Sequence, residues 1–292
     1  MGWRTVVVTK SSKLDLSLGY MLVRDAESTK RLFLNEISVL IIESTAVSLT
    51  AALLCELMKQ KIKVIFCDEK HNPGAELVPY NGSHDSSRRI KQQAAWSRQT
   101  KMLVWTYIVR EKIKNQAFVL SKLGLDTQAQ MLLGYIDELE LFDATNREGH
   151  AAKVYFNAVF GMDFTRESDD AVNSALNYGY SILLSCFNRE VVSNGCITQL
   201  GLFHDNIFNQ FNLSCDLMEP FRPFVDMYVF HMNPEVFESA QKHQLLGFLS
   251  EDCYIAGHKQ SIQNAVSVYT RSVLSALDDD DVNKVDFPVY EL

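Results

Sequence analysis

Residues 38–67 have the sequence SVLIIESTAVSLTAALLCELMKQKIKVIFC, in which two apolar runs flank a segment with helical spacing. Residues 38–42 and 64–67 are short, apolar and rich in β-branched side chains, a pattern typical of buried strands. Residues 47–61 between them carry a leucine at every fourth position from Leu49, which predicts a helix with one apolar face. The stretch therefore predicts a strand, a helix and a second strand within a β-rich domain.

Three more strand-like runs precede this stretch. Residues 5–8, 20–23 and 31–34 are short apolar runs that are spaced like strands. Residues 72–87 contain two prolines, two glycines and several small polar residues, which predicts a linker. We therefore expect an N-terminal β-rich domain, with its linker, over residues 1–85.

A long segment without proline follows. No proline occurs between Pro79 and Pro220, a span of 140 residues, and proline is the residue that interrupts helices. The first long helix is expected to start after Asp85-Ser86-Ser87, with a serine or an aspartate at its N-cap. The chain is therefore predicted to be α+β, with a mostly helical domain over residues 86–277.

Composition limits the class of protein. The chain has 292 residues, of which 47% are apolar and 22% charged, enough for two domains that each bury a core. No apolar run approaches the roughly 18 residues of a membrane span, and the polar residues 10–13 argue against a signal peptide. The six cysteines form no C-x-x-C pair, so neither a zinc site nor a disulfide framework is expected, and the cytoplasm is the expected location.

The charge is unevenly distributed along the chain. The net charge of -8 by itself argues against a nucleic-acid partner, but residues 86–125 carry nine basic side chains and one acidic side chain. Residues 1–85 hold ten of each, and residues 126–292 hold nine basic and 25 acidic side chains. The basic segment is a candidate phosphate-binding surface; the alternative is a solvated helix face balanced by acidic neighbours.

Five basic residues in the first half of this segment are the candidate DNA contacts: Arg88, Arg89, Lys91, Arg98 and Lys101. Aromatic residues interleave with them at helical spacing, which is more typical of core positions than of base-stacking platforms. These aromatic residues are Trp96, Trp105 and Tyr107. The basic residues are therefore the better evidence for a DNA surface.

The last fifteen residues, 278–292, form a separate segment. The four adjacent aspartates at 278–281 repel one another and predict a flexible acidic hinge. The residues that follow alternate between apolar and polar side chains, which favours a strand added to the sheet of a partner. A frayed C-terminal tail is the alternative.

Three short segments of the helical domain concentrate polar groups. The first, residues 145–156, contains Glu148 close to a helix start that Asn146 can cap. The second, residues 201–205, ends an apolar run with His204. Both segments place a candidate metal ligand among apolar residues.

The third segment, residues 214–223, combines two acids with an arginine. Asp216 and Glu219 are three residues apart, so on a helical turn both carboxylates are expected to face one way, and Arg222 can pair with either. Two carboxylates plus the imidazole of His204 suit Mg²⁺ or Mn²⁺ and leave positions open for water and phosphate. The alternative is a core histidine together with an acid that favours a helix N-terminus.

These motifs resemble those of the CRISPR-associated spacer integrase family, known as CRISPR-associated protein one. The resemblance is carried by Asn-Arg-Glu-Gly-His-Ala-Ala at 146–152, Gly-x-x-His at 201–204 and Asp-Leu-Met-Glu-Pro-Phe-Arg-Pro at 216–223. Gly-Trp-Arg-Thr-Val-Val-Val at 2–8 and His-Asp-Ser-Ser at 84–87 are similar to the type II-A branch in particular. The similarity extends from residue 2 to about residue 277.

The resemblance implies a fold and a site. The fold would be an N-terminal β-sandwich that dimerises, followed by a larger all-α catalytic domain that also binds DNA. The catalytic residues, and the ligands of Mg²⁺ or Mn²⁺, would be Glu148, His204 and Glu219. The last of these is an aspartate in many members, and glutamate keeps the charge on a side chain that is one methylene longer.

Other residues are implied in supporting roles. Asp216 lies where the family often has another acid, and we expect it to support the metal ligands rather than to bind the metal itself. Arg222 is expected to orient a carboxylate. Asn173 and Tyr178, which lie in a family-like segment, are expected to pack or to support rather than to catalyse.

The resemblance also implies a reaction and its partners. Family members insert prespacer DNA into the CRISPR array at leader–repeat borders, by attack of a prespacer 3′-hydroxyl on a phosphodiester. They act as homodimers bridged by a dimer of a small second CRISPR-associated subunit, and other type II adaptation proteins are further candidate partners. Double-stranded prespacer and leader–repeat DNA would give the basic segment its function, and no membrane contact is expected.

Two other functions fit parts of the sequence. A non-catalytic cytoplasmic DNA-binding scaffold would use the basic segment and leave the polar residues with a structural role. A hydrolase of small phosphoesters would use the polar residues without DNA, and the basic segment argues against it.

Overall fold

A computed structural model describes residues 2–80 and 82–290. The chain divides into two compact units, Met1–Gly82 and Ser83–Leu292. The first unit is built mainly of strands and the second mainly of helices, which confirms the predicted α+β class. Within the described residues, none of the helices is both long and apolar enough to cross a membrane.

Over residues 2–80, the first unit contains two four-stranded sheets and one α-helix. Its strands are β1 Arg4–Val8, β2 Ser12–Ser17, β3 Tyr20–Arg24, β4 Thr29–Phe33, β5 Ile37–Ile42, β6 Val47–Leu49, β7 Lys63–Cys67 and β8 Pro73–Glu76, and its helix is α1 Ala51–Lys59. One sheet has the order β1-β5-β7-β8 and the other β4-β3-β2-β6. In the first sheet β1, β5 and β7 are parallel and β8 is antiparallel.

Both sheets and the helix contribute to one core. Every residue of β5 is buried, as expected for a central parallel strand covered on both faces. Leu14 and Met21 of the second sheet and Leu53 and Leu57 of α1 are fully buried in the same cluster. The predicted N-terminal β-sandwich is therefore confirmed.

Two predicted elements differ from the structure. The helix expected over residues 47–61 starts at Ala51, after an N-cap in which the Thr50 side chain accepts from the Leu53 amide. The three residues before Thr50 pair with β2 as β6. The segment expected to be a linker includes β8, in which Pro73 is the first residue of an edge strand, a position that needs no amide donor.

The second unit contains nine helices among its described residues. These are α2 Ser86–Ala94, α3 Arg98–Lys122, α4 Asp126–Asp137, α5 Arg147–Phe160, α6 Ala171–Ser193, α7 Asn212–Met218, α8 Arg222–Met232, α9 Ser239–Leu245 and α10 Ile262–Asp278. The longest, α3 and α6, lie in the proline-free segment as predicted. The expectation of an all-α domain needs one correction, because strands β9 Asp252–Ile255 and β10 His258–Ser261 form an antiparallel hairpin.

Helix α3 runs through the core of this unit. Trp105 and Ile108 are fully buried, and Trp96, just before the helix, is also buried. The indole Nε1 of Trp96 donates to Asp278 at 2.9 Å. The interpretation of these tryptophans as core residues, rather than as base-stacking platforms, is confirmed.

The acidic run at 278–281 is not a flexible hinge. Asp278 accepts from Arg89 and from Trp96, and Asp280 accepts from the Thr100 hydroxyl at 2.6 Å. Arg89, Trp96 and Thr100, all near the start of the unit, therefore donate hydrogen bonds to the carboxylates that were expected to repel one another. The prediction failed because these donors are about 180 residues away in the chain and have no local signal.

The strand-like tail pairs within the chain. The Val289 amide and carbonyl bond to Tyr254 of β9 at 2.8 and 2.9 Å, and Tyr290 is buried against Phe224, with ring centroids 3.6 Å apart. The expected sheet addition thus occurs on the hairpin of the same unit rather than on a partner. The last two predicted tail residues lie outside the described residues.

Tyr290→Ala is expected to destabilise the protein by about 3–5 kcal/mol, because it removes a buried aromatic ring. Urea unfolding, monitored by circular dichroism, measures this loss of stability. Val289→Ala is the matched control, since Val289 is half exposed and its backbone pairing survives the change. Equal stabilities of the two variants would contradict the packing of the tail.

Candidate active site in the helical unit

The first turn of α5 is fixed by an aspartate that precedes it. The Asp143 carboxylate accepts from the amides of Arg147 and Glu148 at 2.6 and 3.1 Å. Asn146 was expected to cap this helix, but it adopts a left-handed backbone with φ 53° and makes no side-chain cap bond. A Cβ at Gly149 would lie 2.8 Å from the end of the Asn146 side chain, which would have to move to make room for it. These contacts fix the first turn of α5, and with it the direction in which the Glu148 side chain points.

Two of the predicted ligands meet at one cation. The Lys112 ammonium on α3 donates to Glu148 Oε1 and to Glu219 Oε2, each at 2.5 Å. Glu219 is buried, while the Glu148 side chain is partly exposed. The structure therefore brings Glu148 and Glu219 together across about 70 residues of sequence, with a positive charge between them.

Arg222 binds the other oxygen of Glu219. Its Nε donates to Glu219 Oε1 at 2.8 Å, and its guanidinium lies over the Tyr180 ring, 4.6 Å from the centroid. Burial alone would raise the pKa of Glu219, but Arg222 and Lys112 outweigh it and hold the pKa below its ordinary value. Glu219 is therefore ionised and held from both sides.

Asp216 organises the loop that carries His204. It is fully buried and accepts from the amides of Leu202, Phe203 and His204, at 2.6, 3.1 and 3.1 Å. The same carboxylate lies 2.5 Å from His204 Nδ1. A Cβ on Gly201 would collide with the His204 carbonyl and lie 2.8 Å from Asp216, which gives the Gly-x-x-His motif a steric reason.

The contact with Asp216 also defines the chemistry of His204. Since Nδ1 faces the carboxylate, Nε2 is the nitrogen that can bind a ligand. The hydrogen bond to Asp216 raises the pKa of His204, and the charges of Glu219 and Glu148 act in the same direction. The ring stands edge-on to Trp105 at 5.8 Å, which limits its rotation.

The two acids of the third segment have different partners, and the expectation from the i, i+3 spacing that both carboxylates face one way stays a prediction. Asp216 lies at the end of α7 and points to the His204 loop, whereas Glu219 follows the helix and points to Lys112. Arg222 pairs with Glu219 alone of the two acids. The backbone stays right-handed helical at Met218 and Glu219, where α7 gives way to a tighter turn.

Asn173 and Tyr178 lie on α6 with their own partners. Asn173 is buried at the helix start, where its amide group bonds to Asp170 and to the Thr165 carbonyl. Tyr178 packs edge-on against Phe237 at 5.7 Å. The supporting role suggested for them at the ligands stays a prediction.

The candidate DNA contacts differ in exposure. Arg88, Lys91 and Arg98 are exposed, and Lys101 is half buried. Arg89 pairs with Asp278 and donates to the Asn194 carbonyl, so its guanidinium is engaged inside the unit. The expectation that Arg89 offers a free charge to DNA is therefore corrected.

Lys112 is the residue of the site that sequence reasoning missed. It was counted with the basic surface because composition records charge and not burial. A signal was present, since Trp105, Ile108 and Asn115 are spaced with Lys112 on one helical face and all of them are buried. The packing of that face places the Lys112 ammonium beside the carboxylates of Glu148 and Glu219.

The donor types present suit a hard divalent ion. Across residues 2–80 and 82–290, no group of three or more His, Cys, Asp or Glu side chains is arranged to hold a metal. The Lys112 ammonium instead marks a position between Glu148 and Glu219 where the site already accepts positive charge. Two carboxylates and His204 Nε2 fit Mg²⁺ or Mn²⁺ in chemistry once the amine moves away.

A second buried acid lies behind Arg222. Asp226 accepts from the Tyr180 hydroxyl, and its second carboxylate oxygen is buried without a partner. Burial raises the pKa of Asp226 from 3.8 to about 6. Tyr180 therefore connects Asp226 to the arginine that holds Glu219.

This acid predicts a pH-dependent stability. A carboxyl with a raised folded-state pKa stabilises the protein below pH 3.8, and this contribution is lost as the pH rises through 6. The shift of about two units corresponds to about 3 kcal/mol. Part of this contribution is already lost at pH 4, so relative to wild type Asp226→Asn is expected to gain about 2 kcal/mol in unfolding free energy between pH 4 and pH 7.5. Parallel stability profiles of the two proteins would contradict this.

Comparisons with known proteins identify the family to which the chain is similar. The family model described as "CRISPR associated protein Cas1" matches residues 5–240. The CRISPR-associated endonuclease Cas1 of Neisseria meningitidis serogroup C (strain 8013) is 38% identical over 232 residues, which cover 80% of this chain and 76% of that protein.

Two solved structures share the fold. A casposase bound to integration product matches with a TM-score of 0.78 and 18% identity, over 99% of this chain and 94% of that one. A Cas6-RT-Cas1–Cas2 complex matches with a TM-score of 0.73 and 16% identity, over 99% of this chain and 36% of that one.

Proposed function

Because the chain belongs to the Cas1 family of CRISPR-associated proteins, we propose that it is a divalent-metal-dependent DNA endonuclease and integrase of CRISPR adaptation. The observation that carries the proposal is the convergence of Glu148 and Glu219 on one cation. The histidine that Asp216 orients is the third proposed ligand. Neither a DNA-binding scaffold nor packing of the core needs two carboxylates that converge on one buried lysine.

The chain supplies the ligands and their alignment. Glu148, Glu219 and His204 Nε2 would hold Mg²⁺ or Mn²⁺, which when bound polarises a phosphoryl oxygen and offsets the charge of an in-line displacement. Arg222 keeps Glu219 ionised and in place, and Asp216 keeps Nε2 directed outward. The chain's own contribution is thus a set of ligands that neighbouring residues hold in place, of which Glu219 is buried and the other two are partly exposed.

The reaction that this site suits is a transesterification. The 3′-hydroxyl of a prespacer strand attacks a phosphorus at the leader–repeat border, and the bond from that phosphorus to the leaving 3′-oxygen breaks. The attacking hydroxyl loses a proton and the leaving oxygen gains one. The number of phosphodiester bonds stays constant, so no energy-rich co-substrate is required.

A prespacer with dideoxy 3′ ends tests the reaction type. We expect joining to a leader–repeat plasmid to be lost with this substrate, since it has no nucleophile, and to occur with the 3′-hydroxyl form of the same sequence. Joining of the dideoxy substrate at an equal rate would contradict transesterification. Gel separation of joined and free labelled strands measures both outcomes.

The partners follow from the same assignment. We propose that the protein binds prespacer and leader–repeat DNA and acts as homodimers bridged by the small second CRISPR-associated subunit. The fold shared with a casposase on its integration product and with a Cas1–Cas2 assembly supports this proposal. The cytoplasm is the proposed location, and the type II-A assignment stays a prediction.

Lys91→Glu combined with Arg98→Glu is expected to weaken DNA binding by tenfold or more at low salt. Each reversal removes a phosphate contact, so the slope of log affinity against log salt should flatten by about two. Lys259→Glu, on the exposed hairpin of the same unit, is the matched control. An unchanged slope in the double variant would exclude these residues from the DNA surface.

A further inference from the structure

Lys112 differs from the other basic residues of its segment. Within residues 86–125, all of which the structure describes, it is the only buried lysine or arginine, and its side chain is 10% exposed. Burial of an ammonium is unfavourable unless charged partners compensate for it. Glu148 and Glu219 are those partners, so the same carboxylates that are proposed to bind metal hold this lysine.

The position of Lys112 is set by the packing of α3. Ile108, one turn earlier, is fully buried, and Asn115, one turn later, donates to the Pro220 carbonyl at 2.9 Å. This bond fixes α3 against the residue that follows Glu219. The packing of α3 therefore places the Lys112 ammonium at the carboxylates. Lys112 is a core residue of the helix and not a surface side chain that folds back.

The charges of four residues at the candidate site balance one another, and the buried Asp216, which pairs with His204, adds one further negative charge. Glu148 and Glu219 carry two negative charges, and Lys112 and Arg222 carry two positive charges. A divalent ion added to this set would leave a surplus of positive charge in a largely buried site, which is unfavourable. The departure of one cation as the metal enters would remove this surplus.

Lys112 is the cation that can leave. Arg222 is held by Glu219 and by the face of Tyr180, whereas an ammonium on a four-carbon stem can move several ångströms without any change in the backbone. The Lys112 nitrogen also lies between the two carboxylates, in the place of a metal ion that both of them would bind.

We propose that Lys112 is a built-in cation that competes with the divalent metal for Glu148 and Glu219. Without metal it holds the two carboxylates together, and metal binding displaces it. This inference rests on the proposed metal-dependent function. It implies that metal affinity is set by the competing lysine as well as by the ligands.

Isothermal titration of the full chain with Mn²⁺, in the absence of DNA, tests the competition. Lys112→Met is expected to bind Mn²⁺ at least about tenfold more tightly than wild type, because the competitor is gone. Lys114→Met is the control: Lys114 lies on the same helix, is exposed and pairs with Glu111. Its affinity for Mn²⁺ should equal that of wild type.

A second measurement uses wild-type protein, in case Lys112→Met does not fold. Reductive methylation of lysines, mapped by mass spectrometry, reports how accessible each amine is. Saturating Mn²⁺ is expected to increase labelling of Lys112 severalfold and to leave Lys114 unchanged. Equal labelling of Lys112 with and without bound Mn²⁺ would overturn the proposal.

The outcomes separate this inference from the proposed function. If Lys112→Met binds Mn²⁺ no more tightly than wild type, while Glu148→Gln abolishes binding, the competition is wrong and the metal site stands. If neither wild type nor Lys112→Met binds Mn²⁺, both the competition and the proposed metal site are wrong.

Discussion

Glu219→Gln is expected to lower the rate of strand transfer by on the order of 10³-fold or more. Glutamine keeps the shape of the side chain but removes the charge that Lys112 and Arg222 enclose and that a divalent ion requires. Glu148→Gln and His204→Ala should produce losses of the same order. Joining of a labelled prespacer to a leader–repeat plasmid, with the second subunit present, measures all three.

The matched control for this series is Glu111→Gln. Glu111 lies on α3 one residue before Lys112 and pairs with Lys114, away from the two ligand carboxylates. It should retain strand transfer, and thermal unfolding should show that every variant is folded. Full activity of Glu219→Gln, in a folded protein, would remove Glu219 from the proposed site.

Asp216→Ala is expected to have the second large effect, on both stability and activity. The carboxylate accepts three backbone amides and faces His204 Nδ1, and it is fully buried. Its removal leaves those donors without an acceptor, at an expected loss of about 3–5 kcal/mol in unfolding free energy. Urea unfolding measures this loss.

The same variant should lose strand transfer on the order of 10²-fold or more, because the ring of His204 is no longer oriented. Asp216→Asn keeps one acceptor oxygen and should be more stable than Asp216→Ala. Asp205→Ala, at an exposed acid next to His204, is the control and should change neither quantity much. Wild-type stability in Asp216→Ala would contradict the role of Asp216 in the loop.

The fold was predictable where the signal is local. The strand at β5 is a continuous apolar run and needs no partner to be recognised. The three-residue β6 and the β8 edge strand were missed, since both exist only through pairing with β2 and β7. The aspartates at 278–281 follow the same rule, because donors near residues 89–100 determine their conformation.

The site was predictable in its residues but not in its arrangement. The motifs that contain Glu148, His204 and Glu219 could be found in the sequence, and the resemblance assigned them a role. Asp216 and Glu219 have different partners, the His204 loop and Lys112, and the spacing of the two acids does not record these contacts. Lys112 joins the site only through the packing of α3, so its charge was assigned to the surface instead.

Strand transfer in the presence and absence of a chelator tests the proposed site most directly. Purified protein and the second subunit are mixed with prespacer and leader–repeat plasmid in Mg²⁺ or Mn²⁺, then with EDTA, then with excess metal restored. We expect joined product with metal, none with EDTA, and recovery on re-addition. Joined product at the full rate in EDTA, or DNA binding without any joining in either metal, would contradict the proposed site.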